Sequence, residues 1–388
     1  MKKQKLKTLC SAAWSDLNID FGQQVIRHCC KMFPEKFPEN LTKDFFNNSI
    51  QIQNARSDLL NGIKTSVCNH CWQSYENTGT AYRDFKNTWK KTTDLKPNIT
   101  NIEITLDNIC DMSCTYCEGN CSSRIAQEQN WKHIMHVPKD NQLEVFVEWL
   151  SDLALKQKQH LSLNFQGGEV TYSKNFYKFI ELLLKQKSLV NKNIWFSITT
   201  NCNSLKKNQE KIINLFNTLP KRWEISLAIS NESYGEVAEK IRYGLDWERF
   251  QSNFIEYVNH ERIKIITLAP TPNIFTIKYM HKYFEWVLTE ISKSDKRISI
   301  LGNWITNPNF LDVATCSNEY KTYIKENLKI VQKHQDLFHD YAKTTAWLKQ
   351  LENRIGTMSR NENDLDIWIE NISKQKNDDS LKNLRQFL

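Results

Sequence analysis

Residues 104–121 read ITLDNICDMSCTYCEGNC. The run Ile102–Leu106 alternates in the manner of a strand, and the strand empties into a loop that carries Cys110, Cys114 and Cys117 as C-x3-C-x2-C. A loop of this length can wrap three thiolates around one metal cluster. Three thiolates on a four-iron cube leave one iron without a protein ligand, which is the logic of an open catalytic metal position as against a closed structural one. The spacing by itself also fits a zinc or structural iron–sulfur knuckle.

Outward from this stretch the chain keeps a strict rhythm. After Ile102–Leu106, an amphipathic helix is predicted over Leu143–Leu155, a strand over 161–165 and a helix over Asn175–Leu184. Strands follow at Trp195–Thr199, Glu224–Ile229, Lys264–Leu268 and Arg297–Leu301, separated by helices at Lys211–Phe216, Trp247–Val258 and Tyr279–Ile291. Six strand–helix repeats imply an α/β fold of parallel units with right-handed crossovers. Six are too few to close an eight-unit barrel, so a partial barrel or an open sheet results. In either, the chemistry belongs at the C-terminal ends of the strands.

Composition narrows the class. The 388 residues carry 52 Lys+Arg against 44 Asp+Glu, a net charge of +8. The basic residues form no dense block with interleaved aromatics, so the charge reads as a solvated surface and not as a nucleic-acid footprint. No apolar run approaches the roughly 20 residues that cross a bilayer. The opening MKKQKLKTLCSAAW has basic residues but no apolar stretch of signal-peptide length. A cytoplasmic protein with reduced thiols is expected, in which clustered cysteines argue for metal or catalysis. Nine of the eleven cysteines lie within the first 121 residues. The nine histidines show no H-x3-H spacing, and neither His28 nor His70 is assigned as a ligand.

With Tyr116 just before the last cysteine, the C-x3-C-x2-C loop resembles the signature of the radical S-adenosylmethionine (SAM) superfamily. Supporting motifs follow at successive strand ends. Gln166–Gly167–Gly168–Glu169 resembles the family's Gly-Gly-Glu-Pro turn, with Val170 where proline is usual. Thr199–Thr200–Asn201 resembles its Thr-Asn exit. SNESYGEVAEKIRYGLDW (230–247) supplies Ser230 and Arg242, with Glu232 where aspartate is usual, and Asn273 stands in APTPNI. The resemblance covers residues 100–310 and implies a partial (β/α)6 TIM-like barrel. It implies a [4Fe-4S] cluster on Cys110, Cys114 and Cys117 whose open iron holds SAM. Electron transfer from a reductant such as flavodoxin or ferredoxin then yields a 5′-deoxyadenosyl radical that takes hydrogen from a substrate. Tyr116, Gly167, Gly168, Glu169, Thr200, Asn201, Ser230, Arg242 and Asn273 are the expected SAM-pocket residues. For Arg242 a surface salt bridge is the plainer reading, and for Gly167–Gly168 an ordinary strand-exit turn.

The first hundred residues break the rhythm. Leu17–Ile19 and Gln24–Ile26 alternate around Phe21–Gly22, as a hairpin does. Cys10 precedes it, Cys29 and Cys30 follow it, and a helix around Ser57–Leu60 leads to the C-x-x-C pair Cys68 and Cys71. Four thiolates can close a site, and zinc fits that count. The stretch CNHCWQSYENTGTAYR (68–83), with Glu76, Gly79 and Arg83, resembles the twitch or SPASM-like auxiliary-cluster module of radical SAM proteins. It implies a second [4Fe-4S] cluster on Cys10, Cys68, Cys71 and one of Cys29 and Cys30. The expected domains are 1–98 (a small Cys-rich cluster domain), 99–312 (core) and 313–388 (C-terminal helices, assigned no chemistry). A peptide or protein is the first substrate class, with a carbohydrate or nucleoside as rival. A non-catalytic zinc or iron–sulfur module is the competing function. Cys121 and Cys202 are hydrogen-atom donor candidates or incidental thiols, and Cys316 is unassigned.

Overall fold

In the computed structural model, residues 8–78, 81, 83, 97–139, 141–305 and 307–388 are described. Among the described residues nine strands form one sheet: β1 (Asp16–Asp20), β2 (Val25–Arg27), β3 (Glu35–Lys36), β4 (Asn101–Thr105), β5 (Leu161–Gln166), β6 (Ile194–Thr200), β7 (Trp223–Ile229), β8 (Ile263–Leu268) and β9 (Arg297–Ile300). Their order is β3-β2-β1-β4-β5-β6-β7-β8-β9. The six expected core strands β4 to β9 run parallel in sequence order. The expected hairpin is present too, but its first strand is parallel to β4, pairing Asn18 with Glu103 and Asp20 with Thr105. The Cys-rich region therefore shares its sheet with the core. The reason is burial: Leu17 and Ile19 are completely or nearly covered and continue the apolar face of Ile102 and Ile104, so the edge of β4 is paired instead of exposed.

One face of the sheet is apolar. Ile104, Leu163, Phe165, Phe196, Ile198, Leu227 and Ile266 are buried there. Helices alternate with these strands: α1 (Ile50–Leu60), α2 (Asn69–Thr78), α3 (Ser123–Glu128), α4 (Gln142–Lys156), α5 (Lys174–Leu184), α6 (Lys206–Thr218), α7 (Glu236–Ile241), α8 (Trp247–Asn259) and α9 (Met280–Ile291). α5 and α8 present clean apolar stripes, with Phe176, Phe179 and Leu183 inward on α5 and Phe250, Phe254 and Tyr257 inward on α8. The other face is polar. Arg27, Asn18, Glu103, Asn164, Ser197 and Ser226 stand in register across six adjacent strands. Arg27 Nε donates to Asn18 Oδ1 at 2.7 Å, and Asn18 Nδ2 donates to Glu103 Oε2 at 2.8 Å. A sheet with helices on one side and a polar row on the other is the wall of an open barrel, whose inside is a place for polar ligands.

The C-terminal helices α10 (Lys321–Lys333), α11 (Tyr341–Arg354) and α12 (Glu362–Lys376) are not merely superficial. α12 buries Leu365, Ile369 and Ile372. Its last residue, Lys376, has 3% side-chain exposure and pairs with Glu128 Oε2 at 2.5 Å. Lys376 also bonds the Ser113 hydroxyl, which itself donates to Glu128 at 2.6 Å. Ser113 belongs to the cysteine loop, so the C-terminal helix is pinned to that loop by one buried ammonium. Lys376→Met leaves the Glu128 carboxylate, 19% exposed, with only the longer Arg124 contact at 3.5 Å as its cation. A loss of about 2–4 kcal/mol of stability is expected, below the upper range for a buried pair because Glu128 keeps some water. Urea denaturation checks this, and an unchanged midpoint would show that α12 docks without the pair.

Candidate active site

The cysteine loop leaves β4 at its C-terminal end and is held by side chains that serve its own backbone. Asn108 Nδ2 donates to the carbonyls of Gly119 and Ile134 at 2.9 and 3.0 Å, and its Oδ1 accepts from His136 N. The Ser122 hydroxyl donates to Met112 O at 2.7 Å and caps α3 through Ile125 N. Ser113 N and Thr115 N donate to the carbonyls of Tyr243 and Ile241 at the end of α7. Cys110, Cys114 and Cys117 are all half-buried on this loop. Burial, followed by the Asp111 charge and the neighbouring Cys114, raises the Cys110 thiol well above its ordinary range. Burial also raises Cys114. The Cys117 and Cys121 thiols hydrogen-bond to each other, which raises Cys117 and lowers Cys121. Raised thiols in a dry loop stay protonated unless a cation takes the proton's place, and a coordinated thiol is deprotonated outright. The donor set therefore fits an iron–sulfur cluster.

The expected SAM-pocket glycines do a different job here. Gly167 has φ +138, and a Cβ on it would stand 2.7 Å from Asp107 O. A Cβ on Gly168 would stand 2.1 Å from Ile109 O. The bare faces of both glycines meet the backbone that enters the cysteine loop, and Glu169 N donates to Ile109 O at 2.6 Å. The close approach that glycine permits is thus between two protein segments one residue away from Cys110.

Glu169 is 1% exposed. Its Oε1 accepts from Thr171 N and Oγ1 and from Thr200 Oγ1, and its Oε2 accepts from Asn201 N at 2.6 Å. Burial, then the Asp111 charge, pushes its carboxyl up to about 7. Its side chain is consumed by protein donors and ties the β5 exit to the β6 exit. Asn201 Nδ2 in turn donates to Asp111 Oδ1 at 2.8 Å, and Asn203 Nδ2 to Asp111 Oδ2 at 3.1 Å. Asn203 was not singled out in the sequence, although it lies two residues past the recognised Thr200–Asn201 exit.

Arg242 is not on the surface. At 6% side-chain exposure it pairs with Glu232, 1% exposed, through Nη2 at 2.6 Å and Nε at 3.1 Å. The Tyr116 hydroxyl donates to the other Glu232 oxygen at 2.9 Å, and the guanidinium lies 5.6 Å from the Tyr116 ring centroid. Glu232 standing in place of aspartate is thus the hub between the cysteine loop and α7. Ser230 is half-buried at the β7 exit, with its N–H bonded to Thr200 O. Asn273 is buried and caps its own turn, Oδ1 accepting from Phe275 N, while its Nδ2 has no partner among the described residues. Cys202 is fully buried with Sγ 3.7 Å from Phe250 O, a packed thiol.

A second group of thiols gathers away from this rim. Cys10, Cys29, Cys68 and Cys71 are buried, while Cys30 is exposed. Burial lifts Cys10 to about 11 and Cys68 to about 12, with Cys71 adding to both and Cys10 adding to Cys68. Burial raises Cys29 as well, with contributions from Cys30, Cys10 and Cys71. Cys68 and Cys71 straddle the start of α2. Arg83 is buried over the rings of Trp72 and Tyr75, at 4.4 and 4.9 Å. Glu76 is exposed and pairs with Lys64, and Gly79 lies outside the described residues. His28 is fully buried, with Nε2 3.8 Å from Cys68 Sγ. Among the described residues, no three His, Cys, Asp or Glu side chains are grouped for a single metal ion.

Comparison with curated proteins gives no match. Among solved structures the chain is similar to anSMEcpe with bound AdoMet, at 17% identity and TM-score 0.42 over 60% of each chain. It is also similar to Streptococcus suis SuiB bound to precursor peptide SuiA, at 14% identity and TM-score 0.38 over 84% of this chain and 69% of that one. The chain thus spans about 60% of the length of anSMEcpe. Residues 104–286 match the model of the radical SAM superfamily.

Proposed function

We propose that this protein is an enzyme that reductively cleaves SAM at a [4Fe-4S] cluster held by Cys110, Cys114 and Cys117. When bound, cluster and SAM supply the 5′-deoxyadenosyl radical that abstracts hydrogen from a substrate. The observation that carries this reading is the half-buried loop of three thiols inside the matched residues 104–286. The protein's own part is placement. Glu232 fixes Tyr116 and Arg242, and Glu169 fixes the two strand exits around Cys110. Asp111 takes the amides of Asn201 and Asn203. The groups left to meet SAM are the Ser230 hydroxyl, the Asn273 amide and main-chain atoms around Gly167 and Tyr116.

Arg242, Glu169 and Asn201 then act as braces for the pocket, not as direct contacts. The reductant is a protein such as flavodoxin or ferredoxin.

A second [4Fe-4S] cluster on the N-terminal thiols belongs to the same reading. Four buried sulfurs on a hairpin and a helix start support it. A lone zinc ion draws its ligands to about 2.0–2.3 Å from one point, whereas a cube spreads four thiolates over its corners. The resemblance to the auxiliary-cluster module makes a peptide or protein the first substrate class. The polar row from Arg27 to Ser226 offers the donors and acceptors that amide groups need.

Three measurements test this. Anaerobically reconstituted and reduced protein converts SAM to 5′-deoxyadenosine, and Cys114→Ala abolishes it. Conversion that persists with all three loop cysteines replaced would remove the assignment. Iron analysis gives about eight irons per chain, as two four-iron clusters require; about four would leave one site empty or with zinc. Gly168→Ala, whose Cβ meets Ile109 O at 2.1 Å, displaces the loop backbone beside Cys110. It is expected to cut iron to about four per chain while the chain stays folded by circular dichroism.

A further inference from the structure

The two sulfur sites sit at opposite ends of one strand. Cys10 lies near enough to Asp16, the first residue of β1, for its charge to act on the thiol. Cys121, a free thiol hydrogen-bonded to Cys117, lies within reach of Asp20, the last residue of β1. Four residue steps of extended chain separate those ends by roughly 13 Å. β1 is parallel to β4, so Asp20 marks the C-terminal rim, where the cysteine loop and strand exits are. Cys29 follows β2, which runs the other way and passes Asn18 at Arg27 on its course to the N-terminal rim. The N-terminal thiols are thus on the far side of the sheet from the rim where SAM and substrate meet.

That site is closed and has its own hydrogen-bond donor. Cys10, Cys29, Cys68 and Cys71 are 7–8% exposed, whereas Cys30 points to solvent. His28 has no exposure, and its Nε2 is 3.8 Å from Cys68 Sγ, within hydrogen-bond range for sulfur. A metal-bound thiolate has no proton, so the hydrogen in this contact comes from the ring. His28 Nδ1 is buried with no partner among the described residues. A proton there would be a stranded donor; on Nε2 it meets sulfur.

We propose that Cys10, Cys29, Cys68 and Cys71 ligate a closed cluster that touches no substrate, and that His28 Nε2–H donates to the Cys68 thiolate and sets the cluster's potential. This rests on the reading of the N-terminal site as a four-iron cluster. A hydrogen bond to a ligating sulfur stabilises the extra negative charge of the reduced state, so removing it lowers the potential.

The test uses full-length protein with Cys110, Cys114 and Cys117 replaced by alanine, which isolates the N-terminal site. After anaerobic reconstitution, iron content, the electron paramagnetic resonance spectrum of the reduced form and the midpoint potential are measured. About four irons per chain are expected in this background. Cys30→Ser leaves iron and spectrum unchanged, and Cys29→Ser loses the iron. His28→Phe keeps the iron and shifts the midpoint to more negative values, and His28→Gln, which retains an N–H, shifts it less. Loss of iron in Cys30→Ser with retention in Cys29→Ser would overturn the ligand set. An unchanged potential in His28→Phe would overturn the donor role, and loss of iron in both His28 variants would make His28 a ligand instead. No iron in the parent background sinks the cluster reading itself, a result separate from all of these.

Discussion

The cysteine loop holds its shape because one buried carboxylate is shared. Glu232 accepts from Tyr116 on the loop and from Arg242 at the end of α7, and Thr271 N, just past β8, lies 3.3 Å from it. Three chain segments therefore converge on two oxygens. An uncompensated charge this deep would cost several kcal/mol, so the carboxylate, the guanidinium and the phenol must all be in place together. Burial raises the Cys114 thiol, and the Arg242 charge only partly offsets that rise. The group that fixes the loop's geometry thus also acts on one of its thiols.

The sequence exposed most of the architecture because its signals were periodic. Strands β4 to β9 and the long helices between them follow from alternation and from apolar stripes such as Phe176, Phe179 and Leu183. The hairpin was legible for the same reason. Its parallel pairing to β4 was not, since periodicity says which residues face inward but not which edge they join. The short helix α7 was hidden inside a motif read for Ser230 and Arg242. The docking of α12 was hidden because its anchor, Lys376, looks like any other lysine in a Lys-rich tail. Only the three-dimensional placement of Glu128 and Ser113 distinguishes it.

The candidate site was legible in position and less so in role. The motif residues at the β4 to β8 exits lie at the rim, as strand order requires. Yet Gly168, Glu169, Asn201 and Arg242 all turn to other protein groups. The reason is the density of charge there: half-buried Asp111 and fully buried Glu169 and Glu232 lie within one region. Each must be satisfied by local donors before a ligand arrives. A sequence motif identifies which polar residues gather at a rim, but the pairing among them depends on distances that spacing does not encode. The Cys29 and Cys30 choice is of the same kind. Adjacent residues are equivalent in a string, while on a curved segment leaving a strand one side chain enters the interior and the other leaves it.

The contrast between the two sulfur sites follows from where each sits on the sheet. At the C-terminal rim the chain leaves the strands in loops, and Cys110, Cys114 and Cys117 remain half-buried with a polar interior beside them. That is the face on which a barrel can present an incomplete metal site to a small molecule. At the other end of β1, Cys10, Cys29, Cys68 and Cys71 are buried by the hairpin and the start of α2, with His28 against Cys68 and Arg83 stacked over Trp72 and Tyr75. A site there is sheltered from solvent and can be completed by protein alone. A partly open group of thiols and an enclosed one need opposite surroundings, and a single parallel strand provides both because its two ends lie at opposite rims of the sheet.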